Sequence, residues 1–308
     1  MDDMKVNQNP KLGSIDRPNS YIGRSLPRAN AKKHLDGGGQ FVDDLVLPRM
    51  LHVAFLRSPF AHAYIKSINV DEAKKSLGVF DVYTAKEIDK FCKPWVGTLG
   101  HLGEMRSPEQ TPLAKNIARW QGEPVAVVIA NNRAQAEDAL ELIEVDWEEK
   151  DAQVDMETAL DENAVIIHPD LGNNLFWTRT VNQGDVVKAF GESHEVVETT
   201  LDFARHTGVT LESRGIVADW NKAETKMTIY HNGQAPHMMQ HIIAKHLDVN
   251  EGLVRIVSRD VGGSFGIKVH VYPDEMAAAA ISKKPGRPIK FIADRSESFS
   301  TDIHARCH

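Results

Sequence analysis

Cysteine is almost missing from this chain, with two in 308 residues, Cys92 and Cys307. No CxxC pair exists, so neither a cysteine-ligated iron–sulfur cluster nor a disulfide framework is implied. If electrons pass through this protein, other chains must carry the clusters. An excess of positive charge is also lacking: 36 Lys and Arg stand against 43 Asp and Glu, a formal net charge of -7. That balance argues against a nucleic-acid partner held through its phosphates. Long apolar runs are absent too. The run VAVVIA at 125–130 is far short of the roughly 20 residues that cross a bilayer. The opening MDDMKVNQNP has neither the basic segment nor the apolar stretch of a secretory signal, so the expected location is cytoplasmic.

What is present is the composition of an ordinary globular protein, 42% hydrophobic and 26% charged. The length suggests about two domains. Residues 1–24 are polar and punctuated by Pro10 and Pro18, and read as an extended arm. LHVAFLRS (51–58), IKSINV (65–70), GVFDVYT (78–84) and EPVAVVIA (123–130) are β-branched, apolar segments bounded by turn residues and read as strands. NNRAQAEDALELI reads as a helix capped by Asn131 or Asn132, with Ala136, Ala139, Leu140 and Ile143 on one face, and IEVDWEE follows as a strand. Strand, helix and strand in succession suggest an α/β unit closing a first domain over 25–148. Residues 149–174 are charged, broken by Pro169 and Gly172, and read as a connector.

From 175 to 308 a second domain is expected. HEVVETTLDFAR (194–205), RGIVADW (214–220) and KMTIYHN (226–232) read as antiparallel strands. The helix QAPHMMQHIIAKHL carries Ala235, Met238, Met239, Ile242, Ile243 and Leu247 as an apolar stripe, with Pro236 in its first turn. The strand LVRIVSR, a helix from about 272 to 283 and the strand RPIKFIADR complete the pattern.

Between LVRIVSR and that last helix lies DVGGSFGIK, residues 260–268. Glycine removes the Cβ, so backbone N–H groups can approach an anion closely and positive φ is available without steric cost. Two phosphate templates nevertheless fail: no hydroxyl residue follows Lys268, and Gly262, Gly263 and Gly266 do not satisfy GxGxxG. Taken alone, the segment is as well explained by a turn that only small residues can make.

Its companions change that judgement. RANAKKHLDGGGQFVDDLVLPRMLHVAFLRSPFAHAYI, WQGEPVAVVIANNRAQAEDALELIEVDWE, HTGVTLESRGIVADW, GQAPH and GGSFGIK occur in that order. Together they resemble the molybdopterin-binding large subunit of the xanthine dehydrogenase, aldehyde oxidase and carbon monoxide dehydrogenase family of molybdenum hydroxylases. The resemblance covers roughly residues 20–300. It implies an α+β chain, with the family's α/β hammerhead domain followed by the first part of the molybdopterin-cofactor-binding domain.

The resemblance further implies that Gln234 sits over molybdenum, and that Gly262, Gly263, Ser264, Phe265 and Gly266 border the metal and its pterin. Phe265 and Val269 would then face substrate. The protein would hold molybdopterin, expected as the cytosine dinucleotide. An iron–sulfur small subunit with 2Fe-2S clusters and a medium subunit with FAD would take the electrons away. The implied reaction is oxidation of a small molecule with water as the oxygen source.

Two departures from the family matter. Purine-oxidising members carry a glutamate directly after the loop lysine, where this chain has Val269. Aldehydes, non-purine N-heterocycles and carbon monoxide remain as substrates, because unpaired ring polar groups cost about 1–3 kcal/mol each. The family glutamate that acts as base comes from a later segment, and no residue here corresponds to it. The chain is therefore expected to be either one part of a longer protein or one product of a split gene, and inactive by itself. A noncatalytic assembly module, or a degenerate fragment without cofactor, is the alternative.

Several other residues invite chemistry. Glu212 and Arg214 are expected to make a structural ion pair or hydrogen bond near the cofactor. His237 and His241, at i and i+4, could offer one face to zinc, although no HExxH pattern or third ligand accompanies them. His304 and His308 repeat that spacing beside Cys307, where a local surface cluster is the simpler account.

Overall fold

The computed structural model describes Tyr21 and residues 25–97 and 103–305. The expected arm over 1–24 lies, apart from Tyr21, outside the described residues, as do Cys307 and His308. Contacts divide the chain into two units, 1–40 and 41–308. The described part of the first contains one short helix, α1 (Ala31–Leu35), with no buried residue.

The second unit begins its regular structure with β1 (Leu51–Arg57), β2 (Ala63–Asn69), α2 (Asp71–Lys75), β3 (Val79–Thr84) and α3 (Ala85–Ile88). Then come β4 (Ile117–Ala118), β5 (Pro124–Ala130), α4 (Arg133–Leu140) and β6 (Glu144–Glu149). After a long irregular stretch that contains α5 (Val186–Glu192) follow β7 (Gly215–Asn221), β8 (Lys226–His231), α6 (Pro236–Leu247) and β9 (Val254–Val257). The unit ends with α7 (Pro273–Ser282), β10 (Ile289–Ile292) and α8 (Arg295–Thr301).

A seven-stranded mixed sheet runs in the order β3-β5-β1-β10-β7-β8-β9. It takes strands from both expected domains, joined where β10 lies parallel to β1 and antiparallel to β7. All seven residues of β5 are buried. Val127 and Ile129 face a core shared with α6 and α7, while Ala126, Val128 and Ala130 face Ala136 and Ala139 of α4. A strand covered on both faces has no polar alternation to display, which is why its sequence reads as one apolar run.

The expected strand–helix–strand succession exists, but its two strands enter different sheets. β5 is inside the large sheet, whereas β6 pairs with β2 in a three-stranded sheet of order β4-β2-β6. The reason is legible in β6 itself. Val145 and Trp147 are half-buried and alternate with exposed Glu144, Asp146 and Glu148, a pattern that suits a sheet with one solvated face. Asn132 caps α4 by accepting from Gln135 N at 2.9 Å.

The strand expected at 194–205 does not form. Residues 178–206 are all exposed, and the only pairing nearby among the described residues is an isolated bridge between His206 and Ala305. Val197, Leu201 and Phe203 keep their apolar alternation, but a strand needs a neighbour to accept its backbone hydrogen bonds, and none is described alongside. No described helix is long and apolar enough to cross a membrane.

Candidate functional site

GQAPH and GGSFGIK, 30 residues apart, fold against each other. The turn leaving β8 is fixed by buried Asn232, whose Nδ2 donates to Ser213 O (2.8 Å) while its Oδ1 accepts from Gly215 N (3.0 Å). Gly233 lies over the His231 ring so closely that a Cβ would be 2.2 Å from it, so only glycine leaves this path open. Gln234 emerges next. Its backbone N–H donates to Lys268 O at 2.9 Å, and its Oε1 accepts from Ser264 Oγ (2.5 Å) and Gly266 N (3.3 Å). With the oxygen committed inward, the amide nitrogen donates to nothing among the described residues.

The glycine loop itself is tightly turned. Gly263 and Gly266 have φ of +101° and +87°, and Phe265 sits at φ +50° with 78% of its surface exposed. A left-handed, solvent-facing phenylalanine costs about 1–3 kcal/mol in backbone strain and gains little from burial, so it does not serve the core. Among the described residues the backbone N–H groups of Gly263, Ser264 and Phe265 donate to no acceptor. Three consecutive free donors beside an outward amide nitrogen make a surface suited to an acceptor-rich ligand.

Two charged assemblies underlie the loop. Glu212 accepts from Lys268 Nζ (3.1 Å) and Gly262 N (2.7 Å). Arg214, 1% exposed, binds Asp274 through both Nη atoms (2.9 and 3.1 Å), Glu275 (3.3 Å), Thr301 Oγ1 (3.0 Å) and Asp302. Glu212 and Arg214 are therefore not partners of each other. The Arg214 guanidinium also lies 3.7 Å from the centroid of Tyr272, whose hydroxyl donates to Ile267 O (2.9 Å). Arg57 adds a second cation to Asp274 at 2.9 Å, and His231 Nε2 lies 3.0 Å from Glu275.

These contacts set the acid behaviour of the fold. Burial alone would raise the Asp274 carboxyl, but Arg214 and Arg57 outweigh it and hold the group at about 2, below its ordinary 3.8. Asp302, which has no second arginine, is instead pushed up by burial. A depressed carboxyl contributes stability that is present above the unfolded value and disappears as pH falls through the folded one. Unfolding free energy is thus expected to drop by about 2 kcal/mol from Asp274 between roughly pH 4 and 2. Denaturant titrations across that range measure it, and Asp274→Asn removes most of the slope.

Val269 ends a 3₁₀ turn (Ile267–Val269) and is half-buried. It lines an open cavity of about 1380 Å³ with Tyr272, Trp95, Met238, Ile242 and Lys245. Met238 and Ile242, expected in the apolar stripe of α6, face this cavity, while Met239, Ile243 and Leu247 fill the core. Phe265, 78% exposed, is not among the residues lining that cavity.

The zinc reading fails on geometry. His241 gives Nδ1 to Glu251 at 2.9 Å on the surface, and no group of three His, Cys, Asp or Glu able to hold a metal occurs among the described residues. Burial pushes the Cys92 thiol up to about 12, which leaves it without nucleophilic character. The buried carboxylates Asp274, Glu275 and Asp302 were not singled out from sequence. PDE at the start of α7 looks like ordinary first-turn acid, and only the burial of the whole helix reveals it as part of a network.

Known proteins resolve what this arrangement belongs to. Residues 36–151 match the family described as aldehyde oxidase and xanthine dehydrogenase, a/b hammerhead domain, and residues 167–308 match the molybdopterin cofactor-binding domain. The nicotine 6-hydroxylase large subunit of Paenarthrobacter nicotinovorans is 30% identical over 96% of this chain and 36% of its own length. The carbon monoxide dehydrogenase large chain of Hydrogenophaga pseudoflava is 33% identical over 91% and 36%. Among solved structures, quinoline 2-oxidoreductase from Pseudomonas putida 86 superposes with a TM-score of 0.86 and 34% identity, covering 92% of this chain and 36% of that one. The chain spans about a third of the length of these relatives. Two successive domain matches and the shared fold make it a member of the molybdopterin-binding large subunits of the xanthine dehydrogenase, aldehyde oxidase and carbon monoxide dehydrogenase family, corresponding to their N-terminal part.

Proposed function

We propose that this chain provides one wall of the cofactor site in a molybdenum hydroxylase that oxidises an aldehyde, a non-purine N-heterocycle or carbon monoxide. The observation that carries the proposal is the juxtaposition of Gln234 with the Gly262–Gly266 loop, its amide nitrogen and three backbone N–H groups left free. These donors fit molybdopterin, whose phosphates and metal oxo or sulfido ligands are all acceptors. When bound, the molybdenum–pterin group supplies a two-electron oxidation with water as the oxygen source.

The residues of this chain act around that chemistry. Gln234 directs its amide N–H₂ at the metal's acceptor ligands, with the amide plane held by Ser264 and Gly266. Gly263, Ser264 and Phe265 offer backbone donors, and the exposed Phe265 ring offers an apolar face that excludes water. Val269 leaves a purine without a polar partner. The names of the relatives refer to nicotine, quinoline, carbon monoxide and also xanthine, so the exclusion of purines rests on Val269 alone. The chain spans about a third of its relatives' length, and no residue of it is assigned the role of catalytic glutamate.

The wider assignment follows the same reasoning. The family resemblance assigns 2Fe-2S clusters to a small subunit and FAD to a medium subunit, in a cytoplasmic complex; two cysteines without a CxxC pair agree with clusters carried by another chain. The hammerhead domain is assigned to 25–148, the connector to 149–174 and the first part of the cofactor domain to 175–308. Extraction of the complex tests the cofactor: a fluorescent oxidised pterin with one equivalent of CMP is expected, and no pterin would end the proposal.

Substrate choice has its own test. Val269→Glu puts an unpaired charge on a half-buried wall and is expected to lower kcat/KM for an apolar aldehyde or heterocycle about tenfold. An unchanged value would remove Val269 from the substrate path. A noncatalytic assembly module is the second reading, favoured by the exposed apolar residues Val197, Leu201 and Phe203, and it predicts a complex without molybdenum.

A further inference from the structure

The glycine loop could be held by its own turns, but its two ends converge on a single side chain from elsewhere in the sequence. Glu212 Oε2 accepts from Gly262 N at 2.7 Å and from Lys268 Nζ at 3.1 Å, the first glycine and the lysine that closes GGSFGIK. The Glu212 backbone N–H adds a bond to Gly262 O at 3.2 Å. The contact is close enough that a Cβ on Gly262 would stand 2.4 Å from Glu212 Cβ.

The neighbours of Glu212 support the same loop. Thr210 Oγ1 donates to Glu212 O at 2.6 Å and fixes the turn that presents the carboxylate. A Cβ on Gly208 would meet Ile267 at 3.0 Å and Phe265 at 3.1 Å, so segment 208–212 forms the floor on which the loop lies. Lys268 is buried, and among the described residues Glu212 is the one carboxylate within ion-pair distance of its ammonium.

We propose that Glu212 is a positioning residue for the cofactor loop: its one carboxylate ties the first and last residues of Gly262–Lys268 and so sets the spacing of the free donors on Gly263, Ser264 and Phe265. This inference rests on the assignment of the loop to the cofactor. Glu212 acts through the backbone between its two tethers. A carboxylate is suited to this because it accepts from an amide and an ammonium at once, with charge-assisted strength toward both. Gln234 holds the middle of the same loop, through Ser264 and Gly266, so the loop is fixed at both ends and at its centre.

The test compares Glu212→Ala, Glu212→Gln and Lys268→Met in the complete complex. Hydrogen exchange of the peptide spanning 260–268, molybdenum per large subunit and the electron paramagnetic resonance signal of pentavalent molybdenum are read together. Glu212→Ala is expected to speed exchange of the Gly262 amide and to lower molybdenum content about tenfold, the scale of losing an outer-sphere support. The metal that remains should give an altered resonance. Glu212→Gln keeps an acceptor for Gly262 N and is expected to restore exchange protection and the resonance. Lys268→Met is expected to loosen only the closing end of the loop.

Unchanged exchange and an unchanged signal in Glu212→Ala would overturn the inference. So would a glutamine variant no better than alanine at equal melting temperature, since that pattern is one of general destabilisation. If Glu212→Ala does not fold, Lys268→Met still decides, because native exchange at the closing end of the loop in that variant would leave the carboxylate without a positioning role. Wild-type complex lacking molybdenum would defeat the cofactor assignment instead, and loop exchange would still report on the tether.

Discussion

Arg214→Met is expected to lower the unfolding free energy by about 3–5 kcal/mol, the cost of removing one partner from a buried charge network. Methionine fills much of the volume but leaves Asp274, Glu275 and Asp302 gathered around an apolar group, with Asp274 keeping Arg57 alone. The loss does not stay local. Arg214 is stacked on Tyr272, and Tyr272 bonds Ile267 O in the glycine loop and accepts from Ile303 N at 3.2 Å. Urea unfolding of wild type and variant at neutral pH measures the effect. A loss below about 1 kcal/mol would mean that solvent reaches the cluster, and that the network does not anchor the loop.

Gln234→Ala is expected to do the opposite: a large effect on chemistry and a small one on the fold. Gln234 is exposed, and among the described residues its side chain hydrogen-bonds only Ser264 and Gly266. Those two hydrogen bonds are worth about 0.5–1.5 kcal/mol each. A side chain that orients and contacts the ligands of a metal typically contributes 10–100-fold to affinity or rate. Turnover in the complete complex should therefore fall by about 10–100-fold with the melting temperature within a few degrees of wild type. A full rate would take Gln234 away from the metal, and a collapse in stability would make it a loop-fixing residue only.

The elements that sequence reveals best are those whose burial follows a simple rule. VAVVIA is apolar at every position because both faces of β5 are covered, and the stripe on α6 repeats at helical spacing. Destination is harder to read than type. IEVDWEE is a strand as its alternation suggests, but nothing local says that it joins β2 in place of the sheet that holds β5. HEVVETTLDFAR alternates as well as β6 does, yet forms no strand, because alternation records which face is apolar and is silent about which neighbour it meets. α8 carries no apolar stripe in RSESFST, and its one local signal is the Asp294–Glu297 spacing of a capping box.

The candidate site divides in the same way. Gly262, Gly263 and Gly266 announce a turn, and the failed phosphate templates exclude two ligands without naming a third. That GQAPH lies beside this turn came from resemblance to a family, as did every expectation for Gln234 and Phe265. Pairings across the fold were beyond either approach. Glu212 and Arg214 stand out through the family-like segment HTGVTLESRGIVADW. Their partners, Lys268 for one and Asp274, Glu275 and Asp302 for the other, are 56 to 88 residues away and depend on how β7, α7 and α8 converge.

Molybdenum per large subunit, measured on the complex purified with its partner chains, tests the central claim most directly. Close to one equivalent in wild type, falling markedly in Glu212→Ala and much less in Glu212→Gln, is the predicted result. Absence of molybdenum from an intact, fully assembled complex would contradict the account.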